Sequence, residues 1–142
     1  MKEKIEVSIK VPNQTRYLSL IGRIGEDIAR TLKRYHGDRE ELAYHINLVL
    51  TEAMTNAIHH ANEGDPDKEV HITIAILDRN LCIKVFDQGQ GFDVSTLSPP
   101  DFQNIEDHGR GVYIIRALMD HVSYQRTTNG NVLEMIKLLN DS

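Results

Sequence analysis

The chain has 142 residues, 40% hydrophobic and 26% charged, a balance typical of one soluble globular domain. Its 21 acidic and 16 basic residues give a net charge of -5 without any visible Lys/Arg cluster, which excludes nucleic acid as an expected partner. The single cysteine, Cys82, excludes an internal disulfide and a multi-cysteine zinc site. The sequence shows neither a secretory signal nor an apolar run that could span a membrane, so we expect a cytoplasmic protein without membrane partners.

The first third of the chain is expected to form a strand and a helix. Residues 3–11 alternate apolar and polar side chains, which predicts a strand buried on one face. Residues 17–35 change to a helical period, and Gly37 with Asp38 marks the boundary to a second helix. The apolar stripe of the first helix is predicted to consist of Leu20, Ile24, Ile28 and Leu32.

The second helix, over residues 38–62, is apolar around most of its circumference, as is typical of a buried helix. The polar exceptions Glu52, Asn56 and His59 share one stripe at positions i, i+4 and i+7, so their side chains are expected to point the same way, and His60 lies beside them. A glutamate can accept a proton from an attacking hydroxyl group, and an asparagine offers Mg2+ a neutral oxygen ligand. The pattern predicts either a reaction centre or a polar seam that packs against another element.

The remainder of the chain predicts a sheet built largely from neighbouring strands. Asn129-Gly130 between two alternating runs is a strong signal for a hairpin turn. The expected elements are strands over 69–77 and 81–86, a long loop over 87–108, a helix over 109–121, and strands over 122–128 and 131–139. With the helices on one face, this order gives an α+β fold of two layers.

Two glycine-containing motifs lie beside these elements. Asp87-Gln-Gly-Gln-Gly-Phe92 follows a strand, where an ionised aspartate can accept a hydrogen bond from an exocyclic amino group such as that of adenine. Gly109-Arg110-Gly111 begins a helix, whose N-terminus favours phosphate, and Arg110 can add a charged contact. Taken singly, the first motif also fits a loop turn, and the second also fits an ordinary helix start with a solvated arginine.

In this order, the motifs resemble those of the GHKL (Bergerat-fold) ATP-binding superfamily. Residues 52–60 are similar to its N box, residues 87–92 to its first glycine box and residues 109–115 to its second. Ser98-Pro-Pro-Asp-Phe102 and Arg116-Ala-Leu-Met-Asp120 look like those of bacterial anti-sigma factor serine kinases. The resemblance implies a Bergerat fold over residues 1–142: a single ATP-binding domain whose mostly antiparallel mixed sheet is covered on one face by about three helices.

The resemblance also implies roles for individual residues. Glu52 would be the general base, Asn56 would bind Mg2+, and Asp87 would bind the adenine amino group. Asn131 stands where the family often has the threonine of a Gly-Thr pair, so a changed contact is expected there. The further residues implied to bind or enclose ATP are His60, Gly89, Gly91, Phe92, Gly109, Arg110, Gly111, Val112 and Asn131. The implied lid, over residues 93–108, is acidic, which opposes its closure over phosphates.

By resemblance, the protein uses ATP and Mg2+ to phosphorylate a serine of an anti-anti-sigma (STAS-domain) protein and sequesters a sigma factor, with a homodimer expected. An alternative is a non-catalytic, ATP-dependent binding module, although such a module has no need of a base at Glu52. A detached histidine-kinase catalytic domain is a third possibility. It would require a helical hairpin with a phosphoacceptor histidine, and the strand expected from residue 3 leaves no room for one.

Overall fold

A computed structural model describes residues 4–33, 35–88, 107–127 and 130–139. These residues form three α-helices and five strands. They are β1 (Lys4–Pro12), α1 (Leu18–Arg30), α2 (Arg39–Asn56), β2 (Glu69–Leu77), β3 (Asn80–Asp87), α3 (Asp107–Leu118), β4 (His121–Thr127) and β5 (Gly130–Leu138). A 3-10 turn over Thr15–Tyr17 precedes α1, and a π-helical turn over Ala57–Ala61 follows α2.

The five strands form one sheet in the order β1-β2-β3-β5-β4. Ile5 of β1 lies opposite Ile76 of β2, and Asp87 of β3 lies opposite Asn131 of β5. All four pairings between the described strands run antiparallel. The expected two-layer α+β architecture is confirmed, and the sheet that was expected to be mixed shows only antiparallel pairings in the described residues.

The hydrophobic core lies between one face of the sheet and the helices. Along β2 the buried residues alternate, because successive side chains of a strand point to opposite faces. Fully buried side chains of α2 meet them, and each large aliphatic side chain so buried contributes about 1.5–3 kcal/mol. The largest of these side chains in the two elements are Leu42, Ile46, Leu50, Met54, Ile72, Ile74 and Ile76.

The buried face of α1 differs from its predicted stripe. Leu20 was expected in the core but is 50% exposed, whereas Ile21 is buried. The buried face also contains two glycines, and a Cβ at Gly25 would overlap side-chain atoms of Ile46 and Leu50. Because glycines let α1 pack closely on α2, the contact face is centred on residues that a count of apolar side chains omits.

Two helix ends were also placed wrongly from the sequence. The first helix ends at Arg30 rather than near residue 35, and Thr31 Oγ1 donates to the carbonyl oxygen of Ile28. The last helix ends at Leu118, and His121, which was expected within it, begins β4. The backbone N–H of Asp120 donates to the carbonyl oxygen of Ile136, so sheet pairing takes over where the helix was expected to continue.

The start of α2 is confirmed, whereas its end has an unexpected form. The carboxylate of Asp38 accepts hydrogen bonds from the backbone N–H groups of Glu40 and Glu41 and so caps the helix. After Asn56 the chain widens into the π-helical turn, which ends near Asn62. Such turns are often found at functional sites.

No helix in the described ranges is sufficiently long and apolar to cross a membrane.

Candidate functional site

Glu52 and Asn56 meet α3 at the position of Gly111. The two side chains project from the same side of α2, and α3 packs against that helix. A Cβ on Gly111 would lie 2.8 Å from Oε2 of Glu52 and 3.4 Å from Nδ2 of Asn56. The missing side chain therefore gives the carboxylate and the amide a shared space at the junction of the two helices.

The amide of Asn56 is buried and incompletely paired. Only 2% of the residue is exposed, and its Nδ2 has no hydrogen-bond partner among the described residues. Leaving such a group without a partner costs about 1–3 kcal/mol, so this amide is placed as for a ligand. The unpaired Nδ2 is a donor and suits an anionic acceptor such as a phosphate oxygen. The Oδ1 of the same amide is the atom that fits Mg2+, which is bound through few protein oxygens, with phosphates and water supplying the rest.

The first turn of α3 comes directly before Gly111 and has free N–H groups. The helix begins at Asp107, so Gly109 and Arg110 lie among the first four residues, whose N–H groups have no partner within the helix. Free N–H groups and the positive end of the helix dipole stabilise anions such as phosphates. A phosphate chain near this helix start would lie beside the Glu52–Asn56 pair.

A second polar group surrounds Asp87 at the end of β3. The residue is 4% exposed. Its Oδ1 accepts a 2.8 Å hydrogen bond from Nδ2 of Asn131, and its Oδ2 accepts a 2.9 Å hydrogen bond from the hydroxyl of Tyr124. The carboxylate is therefore held in one orientation by donors from β5 and β4. Asn131, which was expected to contact the nucleotide, here donates to Asp87, and its contact with a nucleotide stays a prediction.

Gly130 makes the approach of β5 to Asp87 possible. Its φ of +143° is one that residues with a side chain rarely adopt. A Cβ at this position would overlap the backbone carbonyl oxygen of Asp87. The hairpin therefore requires glycine here, and the glycine brings the neighbouring Asn131 into contact with the carboxylate.

A buried pair of asparagines links the end of the π-helical turn after α2 to the residue that follows Asp87. Nδ2 of Asn62 donates to Oδ1 of Asn13 at 2.9 Å, and Oδ1 of Asn62 accepts from the backbone N–H of Gln88 at 2.9 Å. Asn13 in turn donates to the carbonyl oxygen of Asp65 at 3.0 Å. Since Gln88 follows Asp87, this pair ties the end of the long helix to the start of the first glycine motif.

The remaining residues singled out from the sequence are described unequally. Val112 is buried in the hydrophobic core next to Gly111. His60 lies in the π-helical turn and Arg110 in the first turn of α3, while their side chains are outside what the structure describes. Gly89, Gly91, Phe92 and nearly all of the expected lid also lie outside the described residues. His59, which was expected to share a stripe with Glu52 and Asn56, is exposed in the π-helical turn, whereas Asn56 is buried.

Tyr124, Asn13 and Asn62 were missed by the sequence reasoning. Tyr124 lies at a helix-facing position of β4, opposite Leu133, where a tyrosine hydroxyl requires a polar partner. Asn62 follows the long helix, a position where asparagine commonly ends helices. These features are visible in the sequence. Their partners, which lie 37 and 49 residues away along the chain, cannot be inferred from it.

Known proteins are similar to this chain over most of its length. Residues 11–137 match the family model of the histidine kinase-like ATPase domain. The chain therefore belongs to the histidine kinase-like ATPase domain family. It is 30% identical to the serine-protein kinase RsbW of Bacillus licheniformis and 29% identical to the serine-protein kinase RsbW of Bacillus subtilis (strain 168). Each alignment covers 94% of this chain and 86% of the relative.

Solved structures share the fold. The histidine kinase domain of the blue-light activated histidine kinase from Erythrobacter litoralis EL346 matches 91% of this chain with a TM-score of 0.55 and 20% identity. A second structure of that kinase matches with a TM-score of 0.54 and 19% identity. The chain spans 62% and 42% of these two structures.

Proposed function

We propose that this chain is a serine-protein kinase that transfers phosphate from ATP to a serine of an anti-anti-sigma (STAS-domain) protein and that sequesters a sigma factor. The observation that carries the proposal is the meeting of Glu52 and Asn56 at Gly111, which places a carboxylate beside an incompletely paired amide at a helix N-terminus. Membership of the ATPase family and the two relatives named serine-protein kinase RsbW support it.

The proposed chemistry requires little covalent assistance from the protein. Glu52 orients the serine hydroxyl and accepts its proton as the oxygen bonds to the γ-phosphorus of ATP, while the bond from that phosphorus to the ADP oxygen breaks. Asn56 would hold Mg2+, which neutralises phosphate charge when bound. The N–H groups at the start of α3 stabilise the phosphates, and Asp87 accepts from the adenine amino group.

The same reaction would switch partners. A phosphoserine adds nearly two negative charges at neutral pH. On the surface of a chain with a net charge of -5, those charges weaken the complex with the phosphorylated protein through repulsion. Release of that partner would leave the chain available to the sigma factor, a role that belongs in the cytoplasm.

Oligomeric state and domain organisation are part of the proposal. We propose a homodimer, in which each copy forms one ATP-binding domain over residues 1–142. Light scattering on the purified chain tests the dimer, and a molar mass of one chain at working concentration would contradict it.

The proposed base is tested by Glu52→Gln, which keeps the size of the side chain and removes its capacity to accept a proton. With ATP, Mg2+ and a candidate STAS-domain protein, we expect phosphotransfer to fall by about a hundredfold or more, because general-base catalysis contributes on that scale. Glu41→Gln, at an exposed position of the same helix, is the matched control and keeps full activity.

Three other results would change the proposal. Equal phosphotransfer by Glu52→Gln and the unaltered chain would show that Glu52 is not the base. Nucleotide binding without transfer to any STAS-domain protein would support the non-catalytic binding module instead. Failure to bind ATP with Mg2+ would remove both functions.

A further inference from the structure

We propose that Tyr124, together with Asn131, is a positioning residue that fixes the carboxylate of Asp87 and thereby sets a preference for purines with an amino group at position 6. The inference rests on the proposed function, since it concerns recognition of the nucleotide base. It assigns base selectivity to the β4 and β5 side of the site, whereas the residues proposed to contact the phosphates lie on α2 and α3.

The contacts of Asp87 come from two neighbouring strands. Asn131 lies directly opposite Asp87 in the sheet, and its amide reaches Oδ1 at 2.8 Å. Tyr124 lies one strand further, opposite Leu133, and its hydroxyl reaches Oδ2 at 2.9 Å. Each oxygen thus has its own donor, which prevents the buried carboxylate from turning about its Cβ–Cγ bond.

A fixed carboxylate distinguishes two kinds of purine. An ionised carboxylate only accepts hydrogen bonds and has about four lone-pair positions, so the hydrogen bonds from Tyr124 and Asn131 do not by themselves exhaust its acceptor capacity. Adenine presents an amino donor at position 6, whereas hypoxanthine presents a carbonyl acceptor there. An acceptor that faces another acceptor in a buried site is unfavourable, and a rigid carboxylate cannot turn away to relieve the conflict.

The test compares binding of ADP and IDP, each with Mg2+, to the full chain by calorimetry. Diphosphates avoid turnover during the measurement. The unaltered chain is expected to prefer ADP. Tyr124→Phe removes one hydrogen bond, which predicts about fivefold weaker binding of ADP and a smaller change for IDP, so the preference shrinks. Tyr44→Phe, at a residue 65% exposed on α2, makes the same chemical change and should leave both affinities unaltered.

Asn131→Ala provides the same test on the other oxygen and keeps the inference falsifiable if Tyr124→Phe does not fold. A reduced preference for ADP in either folded variant supports the inference. Equal losses for ADP and IDP overturn it, because a merely structural role lowers both affinities together. If the unaltered chain prefers ADP and the variants keep that preference, only the inference fails. If the unaltered chain binds neither nucleotide, the proposed function fails as well.

Discussion

At residue 111, the absence of a side chain determines how close α3 can come to Glu52. Replacing Gly111 by alanine places a methyl group 2.8 Å from the terminal carboxylate oxygen of Glu52. That carboxylate is the end of a flexible side chain, so it swings aside and the fold survives, while alanine adds up to about 1 kcal/mol of helix propensity. We expect an unchanged or higher unfolding temperature and a tenfold to hundredfold loss of phosphotransfer, on the order of the cost of small misplacements.

The double variant Glu52→Gln with Gly111→Ala is the control for this prediction. If Gly111 acts through the position of Glu52, its replacement costs little additional activity once the carboxylate has been removed. Independent, multiplicative losses in the double variant would contradict that role. Gly111 would then act only by shaping the ATP pocket, as the resemblance alone implied.

Sequence reasoning succeeds at this scale where contacts are local. Glu52 and Asn56 are four residues apart, so the helical period alone predicted that they share a face. The two donors of Asp87 depend on the strand order β3-β5-β4, which pairs residues remote in sequence. Asn131 was identified through the family motif and Tyr124 not at all, because no local pattern links a tyrosine to an aspartate 37 residues away.

Between elements, the buried Asn13–Asn62 pair is the connection that we expect to matter most for stability. Asn62→Leu removes the acceptor of the Gln88 N–H and both donor contacts of the Asn62 amide, to Asn13 and to the carbonyl oxygen of Glu69. Each buried group left without a partner costs about 1–3 kcal/mol. We expect the free energy of unfolding to fall by about 2–4 kcal/mol in chemical denaturation.

Asn80→Leu makes the identical change at an exposed position of β3 and is expected to shift the free energy of unfolding by less than about 0.5 kcal/mol. Similar values for the two variants would show that the amide pair does not stabilise the fold. A large loss confined to Asn62→Leu would confirm that the pair holds the helix end against the strand that carries Asp87.

The strands were easier to predict than the packing of the helices. Period-two alternation gave β2 its observed bounds, since the sheet buries one face throughout. The face of α1 was misjudged because Gly22 and Gly25, which allow its close contact with α2, carry no hydrophobic signal. The π-helical turn after Asn56 was likewise unpredicted, because its widened backbone leaves no periodic trace over five residues.

For the molecule as a whole, Asn56 is expected to lower the stability of the nucleotide-free fold and to support the binding of Mg2+. An incompletely paired buried amide lowers the stability of the nucleotide-free fold, yet the same amide is the proposed ligand of Mg2+. Asn56→Leu keeps a similar volume and removes the polar group. Without nucleotide, we expect the free energy of unfolding of the variant to equal that of the unaltered chain or to exceed it by up to about 2 kcal/mol.

Nucleotide then separates the variant from the unaltered chain. A ligand at a hundred times its dissociation constant adds about 2.7 kcal/mol to the folded state, so ATP with Mg2+ should raise the unfolding temperature of the unaltered chain by several degrees. Chelating Mg2+ should remove much of that increase, and Asn56→Leu should show little of it in either condition. Asn80→Leu should retain the full Mg2+-dependent increase.

A variant at position 56 that loses stability without nucleotide, or keeps the Mg2+-dependent increase, would show that this amide serves the core instead of the ligand. The contrast with Asn62→Leu is diagnostic, because the same replacement in the same buried region then lowers stability at a fully paired asparagine and spares it at an unpaired one.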